Sequence, residues 1–215
     1  MNQNTTPQDP LVLSYLALRK AVGIVGFALP FALGIGGFLL SRQGLQTTMS
    51  DYYYTGMRDV FVASLCSIGI FLMSTRGYDR NDEITGRLAA IFAIGIALFP
   101  TTPSNNITSR AKMIGDIHLS CAALFYLTVA FISIALFTKT SAENSPTPQK
   151  LQRNAVYRSC GYAILACISA ILVIELLPNK ASLEKFTPVF WLESVASIAF
   201  GVSWLIKGET ILKDE

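Results

Sequence analysis

The sequence contains few charged residues. Asp, Glu, Lys and Arg make up 14% of its 215 residues, while 52% are hydrophobic, and an average soluble domain carries about 25% charged residues. This shortage of charge predicts an integral membrane protein. The net charge of +3 is too small to indicate a nucleic-acid partner, so none is expected.

The motifs of the common catalytic, nucleotide and metal sites are also missing. The chain has no G-x-S-x-G, H-E-x-x-H, P-loop or G-x-G-x-x-G pattern. Its four cysteines lie in apolar runs without C-x-x-C spacing, and His118 is the single histidine. Because protein zinc sites draw on several Cys, His or acidic ligands, we expect neither a metal nor a cofactor. The sequence leaves open whether the protein is an enzyme.

What the sequence does contain is six long apolar segments. A hydrocarbon core about 30 Å thick takes about 20 helical residues to cross. We therefore predict an all-α polytopic membrane protein, a compact bundle of six transmembrane helices that forms one domain over residues 1–215. The predicted helices cover residues 17–40, 57–75, 84–101, 113–137, 159–177 and 188–206. Residues 138–157, which contain Ser-Pro-Thr-Pro, predict a flexible cytoplasmic linker.

The basic residues predict the orientation of this bundle. If the N-terminus is cytoplasmic, 11 of the 17 Lys and Arg residues fall on the cytoplasmic side and 6 on the other side. Cytoplasmic loops carry such an excess. We therefore expect a protein of the plasma (inner) membrane with both termini in the cytoplasm. Tyr52, Tyr53 and Tyr54 then fall at the outer membrane interface, where tyrosine rings are enriched.

The ionisable residues in or beside the spans gather at the outer side of the predicted bundle. A charged group at the centre of a membrane helix costs about 2.5–3.5 kcal/mol, so Glu193 and His118 are expected to face the interior and to pair with each other or with Arg58. We predict an outward-facing polar pocket there. Its candidate ligand-binding residues are Asp51, Tyr54, Arg58, Asp59, His118 and Glu193. No catalytic residue is assigned, although His118 with Glu193 or Asp51 would be the acid–base pair of a reaction.

Helical spacing indicates which polar side chains face inward. Asp116 and His118 are two residues apart and so point to nearly opposite faces, and His118 shares its face with Phe125. Glu193 shares a face with Ser197, Phe200, Gly201 and Trp204. Structural readings stay open beside these: Asp51 or Thr55 would serve as N-cap of the second helix, and a lone histidine is often only a hydrogen-bonded core residue.

Three short patches resemble a known group of membrane proteins: Ser50-Asp51-Tyr52, the helix-four stretch around Ile117-His118-Leu119 and Ala122–Tyr126, and Glu193 in the last helix. They look like the six-helix Frag/DRAM/Sfk-like families and their uncharacterised bacterial relatives. The resemblance implies a six-helix bundle with both termini inside. Eukaryotic members are associated with lipid and GPI-anchor handling or with membrane stress, and bacterial members have no settled activity.

Three functions follow from these observations. The leading prediction is a lipid-associated membrane protein whose outer pocket binds or handles a lipid headgroup or a small polar ligand. The first alternative is a small-solute or proton-coupled transporter that uses Glu193 and His118 as a relay. The second is a structural or accessory membrane subunit in which the polar cluster only locks helices together. The expected partners are membrane lipid, a small polar ligand and a further copy of the chain in a homo-oligomer.

Overall fold

A computed structural model describes residues 10–40, 42, 44–74, 79–139, 147–178 and 181–209, without the side chains of residues 10–15 and 181–182. Over these residues the chain is helical and contains no strand, which confirms the predicted all-α class. The helices are α1 (Pro10–Leu40), α2 (Arg58–Ser74), α3 (Arg80–Leu98), α4 (Ser109–Phe131), α5 (Pro148–Leu176), the short α6 (Ala181–Glu184) and α7 (Pro188–Lys207). A 3-10 helix, Ser50–Tyr54, precedes α2, and a π-helical turn, Ile132–Leu136, continues α4.

Four of these helical stretches are long and apolar enough to cross a membrane. They are Leu16–Leu40, Ser109–Leu136, Pro148–Leu176 and Pro188–Lys207. The shorter α2 and α3 have 17 and 19 residues, and both expose large apolar side chains such as Ile70 and Ile91. These helices support a membrane protein, which the composition predicts.

Several helices start earlier than the apolar runs predict, because polar residues cap them. Helix α5 begins at Pro148, inside the predicted linker, since the Thr147 hydroxyl accepts a hydrogen bond from the Lys150 N–H at 3.1 Å. Helix α3 begins at Arg80 rather than 84, because the Asp79 carboxylate accepts from the Asp82 N–H at 2.9 Å. Residues 140–146 of the predicted linker lie outside the described residues.

Small residues hold α1 against α7. A methyl group added to Gly201 would come within 2.5 Å of the Phe27 nitrogen and 2.7 Å of the Gly23 oxygen. The Ser197 hydroxyl donates to the Gly26 oxygen at 2.7 Å. Close backbone approach of this kind is how helices associate in lipid, where apolar burial gives little driving force. It fixes the register of α7, and with it the position of Glu193.

Candidate functional site

The segment between α1 and α2 covers one end of the bundle. We call residues 47–57 the capping segment. Its turn is closed by a reciprocal pair of hydrogen bonds: the Thr48 N–H donates to the Asp51 carboxylate at 3.0 Å, and the Asp51 N–H donates to the Thr48 hydroxyl at 3.0 Å. This is a capping box, in which two side chains satisfy each other's backbone amides. Thr48 and Asp51 therefore close the turn that leads into the 3-10 helix, while the Thr55 hydroxyl accepts from the Met57 N–H ahead of α2 at 3.1 Å.

Helix α7 binds the capping segment through a carboxylate. The Met49 N–H donates to Glu193 Oε2 at 2.6 Å, and the Phe190 N–H donates to the Thr47 oxygen at 3.1 Å. Met49 is buried and Glu193 is half-buried. Hydrogen bonds to a charged acceptor are shorter and stronger than neutral ones, so Glu193 is a main anchor of the segment.

Helix α4 binds the same segment through its histidine. His118 is 3% exposed, its Nδ1 lies 2.6 Å from the Phe99 oxygen, and its Nε2 lies 2.8 Å from Ser50 Oγ. A carbonyl oxygen can only accept, so Nδ1 carries a hydrogen and donates it. In the neutral ring Nε2 is then the acceptor of the Ser50 hydroxyl hydrogen. The contact ties Ser50 to the C-terminal end of α3.

Asp51 lies close to both of these anchors. Its carboxylate is within electrostatic reach of both His118 and Glu193. Burial raises the pKa of Asp51 above the usual value of a carboxyl group, and the hydrogen bonds with Thr48 and the nearby His118 oppose this effect. Three of the predicted pocket residues, Asp51, His118 and Glu193, thus come together where the capping segment packs against α4 and α7.

Two of the other predicted pocket residues directly follow the capping segment in the chain. Arg58 and Asp59 are exposed in the first turn of α2. They line a groove of about 530 Å³ between α2 and α3, whose remaining lining residues are Tyr53, Val62, Ala63, Ala97 and Leu98. The Arg58 guanidinium donates to the Tyr53 hydroxyl at 2.8 Å and lies 4.5 Å from the centre of its ring. Polar side chains therefore stand above apolar walls.

Tyr54 and Tyr52 have different surroundings although they are close in sequence. Tyr54 is 48% exposed, and its hydroxyl donates to the Thr101 oxygen at 2.6 Å, which ties the segment to the α3–α4 connection. Tyr52 is fully buried, and a methyl group on Gly37 would come within 2.8 Å of its ring. The expected interface position is therefore corrected for Tyr52, because the turn of the 3-10 helix directs this ring into the bundle.

The described contacts also correct the expected pairing of the charged residues. Glu193 pairs with the Met49 amide, His118 with Ser50 and Phe99, and Arg58 with Tyr53. No ion pair joins Glu193, His118 and Arg58 among the residues that the structure describes. The capping segment lies between them and supplies backbone and hydroxyl partners. Ser50 and Thr48 were not predicted as contributors. Thr48 is marked by the recognisable Thr-x-x-Asp capping pattern, whereas no pattern marks Ser50.

The inward faces of α4 and α7 agree with the prediction from helical spacing. His118 and Phe125 are buried while Asp116 is exposed. Ser197, Phe200 and Trp204 are 5%, 1% and 3% exposed. Over the described part of the chain, no group of three His, Cys, Asp or Glu side chains is arranged to hold a metal ion.

Comparison with protein-family models, curated proteins and solved structures finds no match to this chain. The resemblance to the Frag/DRAM/Sfk-like families stays a prediction that rests on three short patches. The function must therefore be argued from the groove and the capping segment themselves.

Proposed function

We propose that this chain is a six-span plasma-membrane protein, with both termini cytoplasmic, whose outward-facing groove binds a lipid headgroup or a similar small polar ligand. The observation that carries the proposal is the groove between α2 and α3. It presents one exposed cation and one exposed anion, Arg58 and Asp59, above apolar walls. Its volume of about 530 Å³ falls in the range of about 300–1,000 Å³ that small-molecule sites occupy.

The two charges suit a zwitterionic headgroup. A guanidinium binds phosphate oxygens through two parallel N–H donors, and Tyr53 holds the Arg58 guanidinium over its ring. The neighbouring Asp59 carboxylate would accept a hydrogen bond from a headgroup amine. Val62, Ala97 and Leu98 supply an apolar wall for the start of an acyl chain. A phospholipid with an amine headgroup, such as phosphatidylethanolamine, matches this order of groups.

The capping segment is the frame of the groove. Tyr53 belongs to the 3-10 helix, whose N-terminal turn is bound by Glu193 and His118. Arg58 begins the helix that follows directly. Glu193 and His118 thereby position the groove although they do not line it. This division supports a positioning role for the buried residues and a ligand-binding role for the exposed ones.

Lipid binding to the purified full chain tests the proposal. Native mass spectrometry in detergent would measure bound phosphatidylethanolamine in the wild type and in the Arg58→Gln and Asp59→Asn variants. We expect each substitution to lower binding about tenfold, because a hydrogen bond between charged groups contributes about 1.5–3 kcal/mol. Arg110→Gln is the matched control, since Arg110 is an exposed arginine in the first turn of α4. Equal binding by all four proteins would refute the proposal.

The contact between Ser50 and His118 favours a second candidate function, the cleavage of an ester. His118 Nε2 accepts the Ser50 hydroxyl hydrogen while Nδ1 is held by the Phe99 carbonyl; a histidine oriented in this way activates a serine hydroxyl. Ser50 Oγ would bond to an ester carbonyl carbon, His118 would take the proton and return it to the departing alcohol, and water would release the acyl group.

A fluorophosphonate probe, which labels activated serines, tests this second function. Labelling is expected in the wild type and in Ser120→Ala, because Ser120 is exposed on α4 and donates to the Asp116 oxygen. It is expected to disappear in Ser50→Ala and His118→Ala. An unlabelled wild type would rule out an activated Ser50 and leave the hydrogen bond as a structural contact.

A further inference from the structure

A second groove lies at the end of α3 that is away from the capping segment. The capping segment is bound near the C-terminal end of α3, whereas this groove runs between the first two turns of α3 and the end of α4. Its volume of about 450 Å³ falls in the range of about 300–1,000 Å³ that small-molecule sites occupy. Two exposed apolar side chains, Ile84 and Phe131, belong to its walls.

The π-helical turn that continues α4 forms another part of the wall. The Phe137 N–H donates to the Ile132 oxygen, five residues back, at 2.9 Å. Turns of this kind are rare and are found frequently at functional sites. Ala135 and Leu136 of this turn both line the groove, and Leu136 is buried. The turn therefore gives the groove an apolar surface with a small side chain in it.

Lys139 lines the same groove, and its charge is already compensated. Its ammonium donates to the Asp79 carboxylate at 2.8 Å and to the Asp82 carboxylate at 2.5 Å. An ammonium has three N–H donors, so one donor beyond these two can serve a ligand oxygen. Two carboxylates beside one ammonium weaken its attraction for a further anion. An oxygen of an uncharged group is therefore a better partner here than a phosphate or a carboxylate.

Thr85 and Asn81 complete the polar lining of the second groove. The Thr85 hydroxyl donates its hydrogen to the Asn81 backbone oxygen at 2.7 Å, so toward a ligand it acts as an acceptor. The Asn81 side chain is exposed and offers both donors and an acceptor. The groove thus presents donors and acceptors together, and a group of hydroxyls, each of which donates and accepts, suits such a lining.

We propose that the second groove binds the head of an uncharged, hydroxyl-bearing amphiphile of the monoacylglycerol class. Lys139 and Asn81 would donate to its ester and hydroxyl oxygens, Thr85 would accept from a hydroxyl, and the apolar walls would take the start of the acyl chain. The groove includes the last residues of Ser109–Leu136, a stretch long and apolar enough to cross a membrane. That is headgroup depth for a chain that spans the membrane. The proposal does not depend on the ligand of the groove between α2 and α3.

The probe is a monooleoylglycerol analogue that carries a photoreactive diazirine at the start of its acyl chain, added to the purified full chain in detergent. Mass spectrometry of peptides would locate and count the label, which we expect in residues 80–87 and 131–139. In Thr85→Val the concentration for half-maximal labelling should rise about fivefold, because one neutral hydrogen bond is lost. Thr128→Val is the matched control, since the hydroxyl of the exposed Thr128 donates to the Leu124 oxygen at 2.6 Å in the same way. Equal labelling of the two variants would refute the proposal.

A second variant fills the groove. Ala135→Leu should reduce the labelling at least about tenfold, because the larger side chain would clash with a ligand. Ala166→Leu, the same change at an exposed position of α5, should leave the labelling unchanged. If Ala135→Leu does not fold, Thr85→Val alone decides. Arg58→Gln should also leave this labelling unchanged, and a loss in that variant would show that the label reports on the groove between α2 and α3.

Competition with oleate and oleylamine tests the charge of the ligand. Unlabelled monooleoylglycerol should displace the probe at a lower concentration than either charged amphiphile. Stronger competition by oleate would show that Lys139 binds an anion, and stronger competition by oleylamine would show that its carboxylate partners bind a cation; each result would overturn the uncharged assignment. Equal competition by all three, without an effect of the variants, would show nonspecific adsorption to the apolar walls and overturn the proposal.

Discussion

The hydrogen bond between Glu193 and the capping segment makes a sharp prediction. Replacement of Glu193 by Ala removes the acceptor that lies 2.6 Å from the Met49 N–H and leaves that amide without this partner in a buried position. Hydrogen bonds to charged groups contribute about 1.5–3 kcal/mol. The free energy needed to open the capping segment should therefore fall by about this amount, while the helices below the segment stay folded.

Hydrogen exchange measures this local opening. A loss of 1.5–3 kcal/mol corresponds to about 10- to 150-fold faster amide exchange in peptides that cover residues 47–57. Glu193→Gln keeps a side-chain oxygen that can accept from Met49, so its effect should be smaller, about fivefold for a loss near 1 kcal/mol. Glu184→Ala is the control, because Glu184 is an exposed glutamate that precedes the same helix.

The expected order of exchange rates is Glu193→Ala, then Glu193→Gln, then the control and the wild type together. Unchanged exchange of the capping segment in Glu193→Ala would show that Glu193 does not hold it. Faster exchange throughout the chain would show instead that Glu193 stabilises the whole bundle. Either result would refute the role assigned here to this carboxylate.

Three further predictions concern the fold and its pH response. Gly201→Ala should lower the unfolding temperature, because the added Cβ would lie 2.5 Å from the backbone of α1. Gly86→Ala should raise the free energy of unfolding by about 0.5–1 kcal/mol, because its Cβ would meet nothing within 4 Å. Equal changes in the unfolding temperatures of the two variants would contradict this prediction. Burial raises the pKa of Asp51, so its contribution to stability is present at acidic pH and is lost as the pH rises through the raised value. Asp51→Asn should therefore reduce the difference in unfolding free energy between acidic and neutral pH. If the variant and the wild type show the same dependence of unfolding free energy on pH, the prediction is wrong. Thr147→Ala should cost about 1 kcal/mol of unfolding free energy by removing the cap of α5, while Thr147→Ser should cost little; a neutral Ala variant would mean that Pro148 alone starts the helix.

Helical spacing was enough to predict which faces are buried. Asp116 and His118 separate to opposite faces of α4 as their spacing predicts, and Glu193 shares a buried face of α7 with Phe200 and Trp204. These predictions succeed because a helix has one period and a span has few polar residues. A polar side chain among apolar ones has a direction that the sequence alone fixes.

The partners of those side chains could not be predicted in the same way. Glu193 pairs with the Met49 amide and His118 with the Phe99 carbonyl, and backbone groups leave no mark on a side-chain pattern. Charge complementarity predicts pairs such as Glu193 with Arg58 across the bundle. It fails here because a polar segment lies between the helices and offers nearer donors and acceptors. Thr48 was within reach of prediction, since it is the first residue of the Thr-x-x-Asp capping pattern.

Helix ends show the same limit. The linker prediction for residues 138–157 followed from Pro and Ser residues, yet Thr147 and Pro148 together start α5. Proline breaks a helix in its interior and favours its first turn. Whether a proline ends or starts a helix therefore depends on the capping residue before it, and the length of an apolar segment gives no information about that residue.

The separation between the buried anchors and the exposed groove makes the structural and the binding hypotheses separately testable. If the polar residues only hold the helices together, Glu193→Ala and His118→Ala should speed up hydrogen exchange in the capping segment. Arg58→Gln should then change neither exchange nor lipid binding. If the groove binds a headgroup, Arg58→Gln weakens binding without faster exchange in residues 47–57, because the Arg58 side chain is exposed and hydrogen-bonds only to Tyr53 among the described residues. A substitution at an anchor should then weaken binding indirectly, by releasing Tyr53. A residue that positions the groove should therefore change hydrogen exchange in residues 47–57 as well as lipid binding, whereas a residue that contacts the lipid should change binding alone.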